Sequence, residues 1–564
     1  MSLPATCAGA GADRSRYTAP VRVRTHPLSC LTTVAGLRLA RLVLVTLLLA
    51  ACSAGPSDGS ARPGLTAGAT SAAPGFAYGE ADIAALQSRM TTGELDSVTL
   101  VRAYLERIAA VDRAGPHLRA VLELNPDALA EARVLDRERS RGQIRGPLHG
   151  IPVLLKDNIN ALPMTTSAGS LALQGFRPGD AFVVQRLRRA GAVILGKTNL
   201  SEWANYRGKA STSGWSARGG QTRNPYRLTH SPCGSSSGSA VAVAANLATV
   251  AIGTETDGSI ACPAAMNGVV GLKPTVGLVS RDGIIPISFS QDSAGPMTRT
   301  VADAALLLTA MAGRDDADPA TAAMPGRAVY DYAARLDPGA LQGARIGVLQ
   351  SALDNQPGIA ALTGEAVKVL RAAGATVIPL PAPDETLWRD AEQTLLQHEF
   401  RAGLERYFRR WEAPVRTLPE LIAFNRRHAE KELALFGQEL LEDAAAAGPL
   451  WAPAYIQART QARRLAAEQG VDALLRAHRL DALVSPTTGT AWPIDTASGD
   501  AFPGGTYGAA AVAGYPSLSV PMGHVDGLPV GLLFTGTAWS EPRLIELAYA
   551  YEQRTLARRP PPQL

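Results

Sequence analysis

Residues Ser231 to Thr275 read SPCGSSSGSAVAVAANLATVAIGTETDGSIACPAAMNGVVGLKPT, and the reading of this stretch decides the fold. It holds two loops of small residues separated by a run of Ala and Val. The first is Gly234-Ser235-Ser236-Ser237-Gly238-Ser239, the second Thr254-Glu255-Thr256-Asp257-Gly258-Ser259. Glycine has no side chain to clash, so loops of this kind let backbones approach closely. A serine on such a turn becomes a nucleophile only with a proton acceptor beside it and N–H donors facing the developing oxyanion. The rest of the chain has to supply that acceptor.

One lysine stands out. Gly150-Ile151-Pro152-Val153-Leu154-Leu155-Lys156-Asp157-Asn158 reads as a buried strand ending in Lys156, in a chain with only six Lys beside 49 Arg. Burial can neutralise a lysine and make it a base, which it cannot do to arginine. The plainer alternative is a strand-end lysine with its head in solvent. Gly196-Lys197-Thr198-Asn199 lacks the first glycine of a phosphate loop and is not read as one. Gly234-Ser235-Ser236-Ser237-Gly238 also fits the G-x-S-x-G pattern, which would make Ser236 the nucleophile. That pattern needs a preceding strand, and Thr229-His230-Ser231-Pro232 does not read as one; His398, His428 and His478 lie in charged helical segments, and His524 has no clear acid partner. No lysine has Ser three residues before it, which removes S-x-x-K chemistry.

At 564 residues the chain is long enough for one large α/β domain or several smaller ones. Its net charge of +5 invites a nucleic-acid reading, but Arg14, Arg16, Arg22, Arg24, Arg38 and Arg41 against Asp13 account for all of it. The remainder is neutral, so nucleic acid is not expected as a partner. Residues 1–51 read as an export signal: Arg38 and Arg41 precede the apolar run Leu42 to Ala51, too short for a stop-transfer helix. Leu49-Ala50-Ala51-Cys52 resembles a bacterial lipobox, which makes Cys52 the expected lipidation site; an ordinary cleavage site with an incidental Cys is the alternative. The segment ahead of the apolar run is unusually long, and a start near Val34 would shorten it. Residues 52–75, rich in Ser, Gly, Ala and Pro, read as a flexible tether. The implied location is exported and lipid-anchored on the periplasmic side of a membrane, with Ser53 favouring the outer membrane and a soluble periplasmic protein as the alternative.

Cys7 and Cys30 belong to the leader, leaving Cys233 and Cys262 beside the two serine loops. Two lone cysteines are most often small buried fillers; in an oxidising compartment a bridge between them is the alternative. No Cys/His spacing matches a metal site, and no metal or other cofactor is expected.

The chain from 76 to 560 reads as one α/β domain. Ile83, Leu86, Leu100, Tyr104, Ile108 and Val111 recur at helical steps, as do Ala128 to Arg139 and Asp180 to Ala190. Ala192 to Leu195 reads as a strand, Ser280 to Pro286 as a turn and short strand, Gly295-Pro296-Met297 as a second turn, and Val301 to Ala312 as a helix. Arg345 to Leu349, Ile359 to Ala373 and Thr376 to Leu380 read as a βαβ unit. Residues 386–480 are helical, with Trp388, Phe400, Tyr407, Phe408 and Trp411 as packing aromatics. Ala482 to Val484, Ser517 to Val520 and Val530 to Phe534 return to sheet before a last helix from Glu541.

Taken together, Gly150 to Asp157, Gly234 to Gly238, Asp257-Gly258-Ser259-Ile260, Gly271-Leu272-Lys273-Pro274-Thr275 and Gly514 to Pro521 resemble the amidase signature family, in order, from about residue 80 to 555. Thr254–Ser259 and Gly271–Phe289 look most similar to its bacterial peptide-amidase branch. The resemblance implies, for this domain, a mixed β-sheet core covered by helices on both faces. It also implies hydrolysis of a carboxamide C–N bond through an acyl-enzyme. It makes Ser259 the nucleophile, Ser235 a bridging serine in a cis peptide and Lys156 the base, and the 24-residue step between the two serines matches the family's. The backbone N–H groups of Thr256, Asp257, Gly258 and Ser259 would form the oxyanion hole. A small or peptide amide is the implied substrate, with the C-terminal amide of peptides first and aryl or fatty amides as alternatives. Other readings are the family's amidase component that converts glutamate on tRNA, and an inactive peptide-binding lipoprotein. Cys233 and Asp257 depart from the family, where many members have Gly. Ser236 is expected to touch the triad; Asp292 and Arg281 are expected either to orient loops or to form simple turn salt bridges.

Overall fold

The computed structural model describes residues 76–326 and 331–562. The leader, the tether and Cys52 lie outside the described residues. Eleven strands form one mixed sheet: β1 (Val121–Leu124), β2 (Pro152–Lys156), β3 (Val193–Thr198), β4 (Val250–Glu255), β5 (Val270–Lys273), β6 (Ser293–Thr298), β7 (Arg345–Gln350), β8 (Thr376–Pro381), β9 (Ala482–Pro486), β10 (Ser517–Val525) and β11 (Leu528–Thr535). Their spatial order is β1-β3-β2-β4-β6-β5-β10-β11-β9-β7-β8. β3, β2 and β4 run parallel, as do β9, β7 and β8, while the strands between pair antiparallel.

Every residue of β2, β4, β5 and β6 is buried. Successive side chains of a strand point to opposite faces, so these central strands are covered on both. The βαβ unit forms as expected, with β7 and β8 in parallel register and a helix at Pro357–Ala372 between them. The apolar steps near the start become helices Ile83–Thr91 and Ser97–Arg107, continued by a wider turn over Ile108–Arg113. Trp388, Phe400, Tyr407 and Phe408 are buried, and Trp411 packs partly buried against the same cluster as Phe400.

Two local expectations are corrected. Gly295-Pro296-Met297 is not a turn but the middle of β6, deep in the sheet. Proline is tolerated there because the neighbouring β5 pairs only with Met297 and Thr298, leaving Pro296 opposite Ile252 of β4 alone. Gly295 is required by close approach: a Cβ would stand 1.9 Å from the Leu272 carbonyl oxygen. Ser280 to Pro286 holds no strand; Ile284 makes a single bridge to Ile159, and the Arg281 guanidinium instead fixes the turn on Asp318 and the Phe289 carbonyl.

β2 and β4 are parallel neighbours, so their carboxyl ends lie side by side. Lys156 closes β2 and Glu255 closes β4. Loops at the carboxyl ends of parallel strands are where α/β sheets place ligands.

Candidate active site

Lys156 is completely buried, so the solvent-exposed alternative falls. Its Nζ donates to Ser235 Oγ at 2.7 Å, to the Thr254 carbonyl at 2.9 Å and to Thr254 Oγ1 at 2.9 Å. Burial away from water disfavours the ammonium and brings its pKa down to about 7, against the opposing pull of Glu255 and Asp292. The strand places this amine at the end of an apolar run, beside the last turn of β4, with no ion pair among the described residues to hold the charge.

The first serine loop leads into α1 (Ser237–Ala244), whose residues are all buried. Small side chains let that helix sit against the sheet, where Ser239 Oγ hydrogen-bonds Thr198 Oγ1 at 2.8 Å and donates to the Ile252 carbonyl at 3.0 Å. The Gly234–Ser235 peptide is cis. Ser235 is fully buried and its carbonyl accepts from the Ser201 N–H. The Ser236 N–H donates to the Ser259 carbonyl at 3.1 Å, which ties the two serine loops together. Ser236 Oγ donates to the Thr254 carbonyl and accepts from the Thr254 N–H. Its hydroxyl is thus spent on the backbone of the residue that also holds Lys156.

Ser259 lies on the turn between β4 and α2 (Ala261–Met266). It is slightly exposed and lines a cleft of about 650 Å³ together with Cys233, Gly234, Thr256 and Asp257. No histidine among the described residues lines this cleft, so Ser236 has no imidazole partner there. Glu255 Oε2 accepts from the N–H groups of Ile260 and Ala261 at 2.7 and 2.9 Å, capping the helix that follows the serine. Gly258 has φ +73°, and a Cβ on it would stand 2.1 Å from the Tyr507 ring. The N–H groups of Asp257, Gly258 and Ser259 make no hydrogen bond among the described residues. Three unspent donors on one turn beside a serine are the arrangement an oxyanion needs.

The two departures from glycine have separate explanations. Cys233 adopts φ +58°, the region that favours glycine, and is fixed there by a disulfide to Cys262, with Cα atoms 6.0 Å apart. The expectation of two unpaired buried fillers is therefore corrected: the pair clamps the loop before Ser235 to the helix after Ser259. Asp257 needs no positive φ and costs the backbone nothing.

Thr254, Asn158 and Gln291 had no signal in the sequence, whereas Asp292 was expected either to orient loops or to form a salt bridge. Thr254 receives Lys156 through both its oxygens, and Asn158 Nδ2 donates to Thr254 Oγ1 at 3.0 Å. Asp292 accepts from Thr256 Oγ1 and from the Ile287 and Ser288 N–H groups, so it orients the second serine loop rather than forming a salt bridge. Gln291 Nε2 donates to the Thr256 carbonyl and to Glu392. Lys197 spends its ammonium inside the sheet, on Asp157 at 3.2 Å, the Thr165 carbonyl and Thr166 Oγ1.

The amidase family model matches residues 99–545, which spans both serine loops and β2. The chain belongs to the amidase signature family. As a member it is an enzyme that hydrolyses amide C–N bonds, and its fold is that of a single large amidase-signature domain. A peptide amidase solved in complex with the competitive inhibitor chymostatin is 72% identical, with a TM-score of 0.86, covering 86% of this chain and all of that one. The native peptide amidase of Stenotrophomonas maltophilia is likewise 72% identical, with a TM-score of 0.85 over 87% of this chain and 100% of its own. Among curated relatives, a probable amidase of Arabidopsis thaliana is 42% identical over 502 residues, 86% of this chain and 92% of the relative.

Proposed function

We propose that this amidase removes the C-terminal amide of peptides, with Ser259 as nucleophile, Ser235 as proton bridge and Lys156 as base. The observation that carries the reading is the Lys156 amine, buried, with a pKa of about 7, 2.7 Å from Ser235 Oγ in the loop hydrogen-bonded to Ser259. The 72% identity to peptide amidases supports the substrate class.

In the proposed cycle the neutral Lys156 amine accepts the Ser235 proton while Ser235 Oγ accepts that of Ser259. Ser259 Oγ then attacks the carboxamide carbon, and the oxyanion takes hydrogen bonds from the free N–H groups of the Thr256–Ser259 turn. The proton returns through Ser235 to the departing nitrogen, ammonia leaves, and an acyl-ester on Ser259 remains. Water, losing its proton by the same route, releases the peptide acid and restores the serine. The cleft of about 650 Å³ beside Ser259 has room for two or three residues of a peptide.

Ammonia release from an amidated dipeptide, glutamine, an aryl amide and a fatty amide tests the reading. Turnover of the dipeptide amide, lost in Ser259→Ala and Lys156→Ala, is expected. Turnover of another amide alone would leave the residues and move the substrate. The leader and Leu49-Ala50-Ala51-Cys52 further support an exported, lipid-anchored protein; intact-mass analysis of membrane fractions would detect the lipid on Cys52 and its loss in Cys52→Ser.

A further inference from the structure

Among the described residues the Lys156 amine hydrogen-bonds three oxygens: Ser235 Oγ at 2.7 Å, the Thr254 carbonyl at 2.9 Å and Thr254 Oγ1 at 2.9 Å. An ammonium has three N–H donors and no acceptor, so this set matches the protonated lysine donor for donor. No carboxylate shares the place. Glu255, at the end of β4, caps the helix after Ser259 through Oε2, and Asp292 accepts from Thr256 Oγ1 and the Ile287 and Ser288 N–H groups. Both act on Lys156 by charge, but neither pairs with it among the described residues. Lys197 of the neighbouring β3 is turned to Asp157 at 3.2 Å.

Thr254 supplies two of the three oxygens, and its neighbours fix it at each polar group. Its backbone pairs with Ala294 of β6. Ser236 Oγ accepts from its N–H at 3.2 Å and donates to its carbonyl at 3.0 Å. Asn158, on the turn that follows β2 and two residues beyond Lys156, donates Nδ2 to Thr254 Oγ1 at 3.0 Å. The Asn158 carbonyl in turn accepts from the Ile285 N–H at 2.8 Å.

We infer that Thr254 is the positioning residue of the base: its carbonyl and hydroxyl oxygens take two N–H groups of Lys156 and leave the amine lone pair to Ser235 Oγ. This rests on the assignment of Lys156 as base above. A neutral amine has two N–H groups and one lone pair. The Thr254 carbonyl can only accept, so it takes one N–H, and the two hydroxyls share the other N–H and the lone pair. With the N–H on Thr254 Oγ1, the lone pair is free to take the Ser235 proton. The reverse arrangement would aim an N–H at Ser235 Oγ and block the transfer. Asn158 donates to the same Thr254 oxygen, and an oxygen that accepts twice directs its own proton away from the amine. When Ser235 passes its proton to Lys156 and takes that of Ser259, the new N–H bond forms on the lone pair. The two N–H groups on Thr254 stay where they are, so the ammonium is met without rearrangement.

The test is the pH profile of kcat/KM for an N-acetylated dipeptide amide in the parent, Thr254→Val and Thr254→Ser. Valine keeps the shape and removes the hydroxyl acceptor. A hydrogen bond to the charged form favours that form, so its loss lowers the pKa of Lys156. The acid limb, at about pH 7 in the parent, is expected at about pH 6 in Thr254→Val, with a plateau about tenfold lower. The loss is expected in kcat rather than KM, because Thr254 does not line the cleft at Ser259. Thr254→Ser keeps the oxygen and is expected to hold the limb within about 0.3 pH units and the plateau within about threefold of the parent. A Thr254→Val limb that stays at pH 7 would show a structural role only, and one that moves above it would show a hydroxyl donating to the amine; either overturns the inference. If Thr254→Val does not fold, Thr254→Ser decides, and a limb or plateau outside those bounds overturns it. A parent profile flat through pH 7 would overturn the assignment of Lys156 as base, and this inference with it.

Discussion

In the proposed cycle Lys156 carries most of the chemistry as a single residue. With a pKa of about 7 it is mostly protonated below that pH and cannot accept a proton. kcat/KM for an N-acetylated peptide amide, whose own charge does not change, is therefore expected to rise with pH through about 7 and then level off, and at pH 6 to have fallen roughly tenfold. A profile flat between pH 5.5 and 8.5 would place the base elsewhere. Lys156→Arg should be as inactive as Lys156→Ala, because a guanidinium is never neutral in this range. Gly258 is the other residue whose identity is fixed by geometry. With φ +73° and the Tyr507 ring where a Cβ would sit, Gly258→Ala is expected to lower kcat by about a hundredfold or more in a protein that still folds. Circular dichroism alongside the kinetics separates the two effects. At this scale the sequence pointed to Lys156 as an unusual strand-end lysine and to two small-residue loops holding serines, while the choice of Ser235 and Ser259 within those loops came from the family resemblance. Thr254, Asn158, Gln291 and Glu392 were not legible, since their roles exist only once distant loops meet.

Among the elements, the pieces that hold the serine turn are the Glu255 cap and the Cys233–Cys262 bridge. Glu255→Gln keeps the shape but weakens the bonds to the Ile260 and Ala261 N–H groups. It is expected to cost about 1–2 kcal/mol of stability by urea unfolding, with a fall in kcat larger than the change in KM. The Cys233→Ser/Cys262→Ser variant opens a link between residues 29 apart and should lose about 2–4 kcal/mol. An unchanged urea midpoint would mean the bridge contributes nothing to the fold. Periodicity made the helices and the βαβ unit legible, since Ile359 to Ala373 and the apolar runs on either side obey a local rule. It failed at β6, where Gly and Pro signal a turn locally but sheet packing overrides them: Gly295 lets the Leu272 carbonyl approach, and Pro296 sits just past the last residue that β5 pairs with. It could not separate paired from unpaired cysteines either, because Cys233 and Cys262 meet only through the tertiary arrangement of the two loops.

For the whole molecule, the sheet matters because it brings together groups far apart in the chain. Lys156 and Ser235 are 79 residues apart, and Lys156 and Thr254 are 98. The parallel pairing of β2 with β4 places their carboxyl ends at one cleft, and burial of both faces removes the water that would keep Lys156 charged. The helical region around Tyr407 contributes packing to this arrangement, and its Glu392 accepts from Gln291, which also donates to the Thr256 carbonyl of the second serine loop. That the chain forms one large α/β domain followed from the alternation of strands and helices, and its mixed, doubly covered sheet from the family resemblance. Its strand order did not, because β10 and β11 insert between β5 and β9 through contacts that no local pattern encodes. The most direct test of the proposed chemistry is ammonia release from an amidated dipeptide by the parent protein, Ser259→Ala, Ser235→Ala and Lys156→Ala under one set of conditions. Turnover by the parent with a loss of at least about a thousandfold in Ser259→Ala and Lys156→Ala, and a large loss in Ser235→Ala, is the predicted result. Activity retained in folded Ser259→Ala would contradict it.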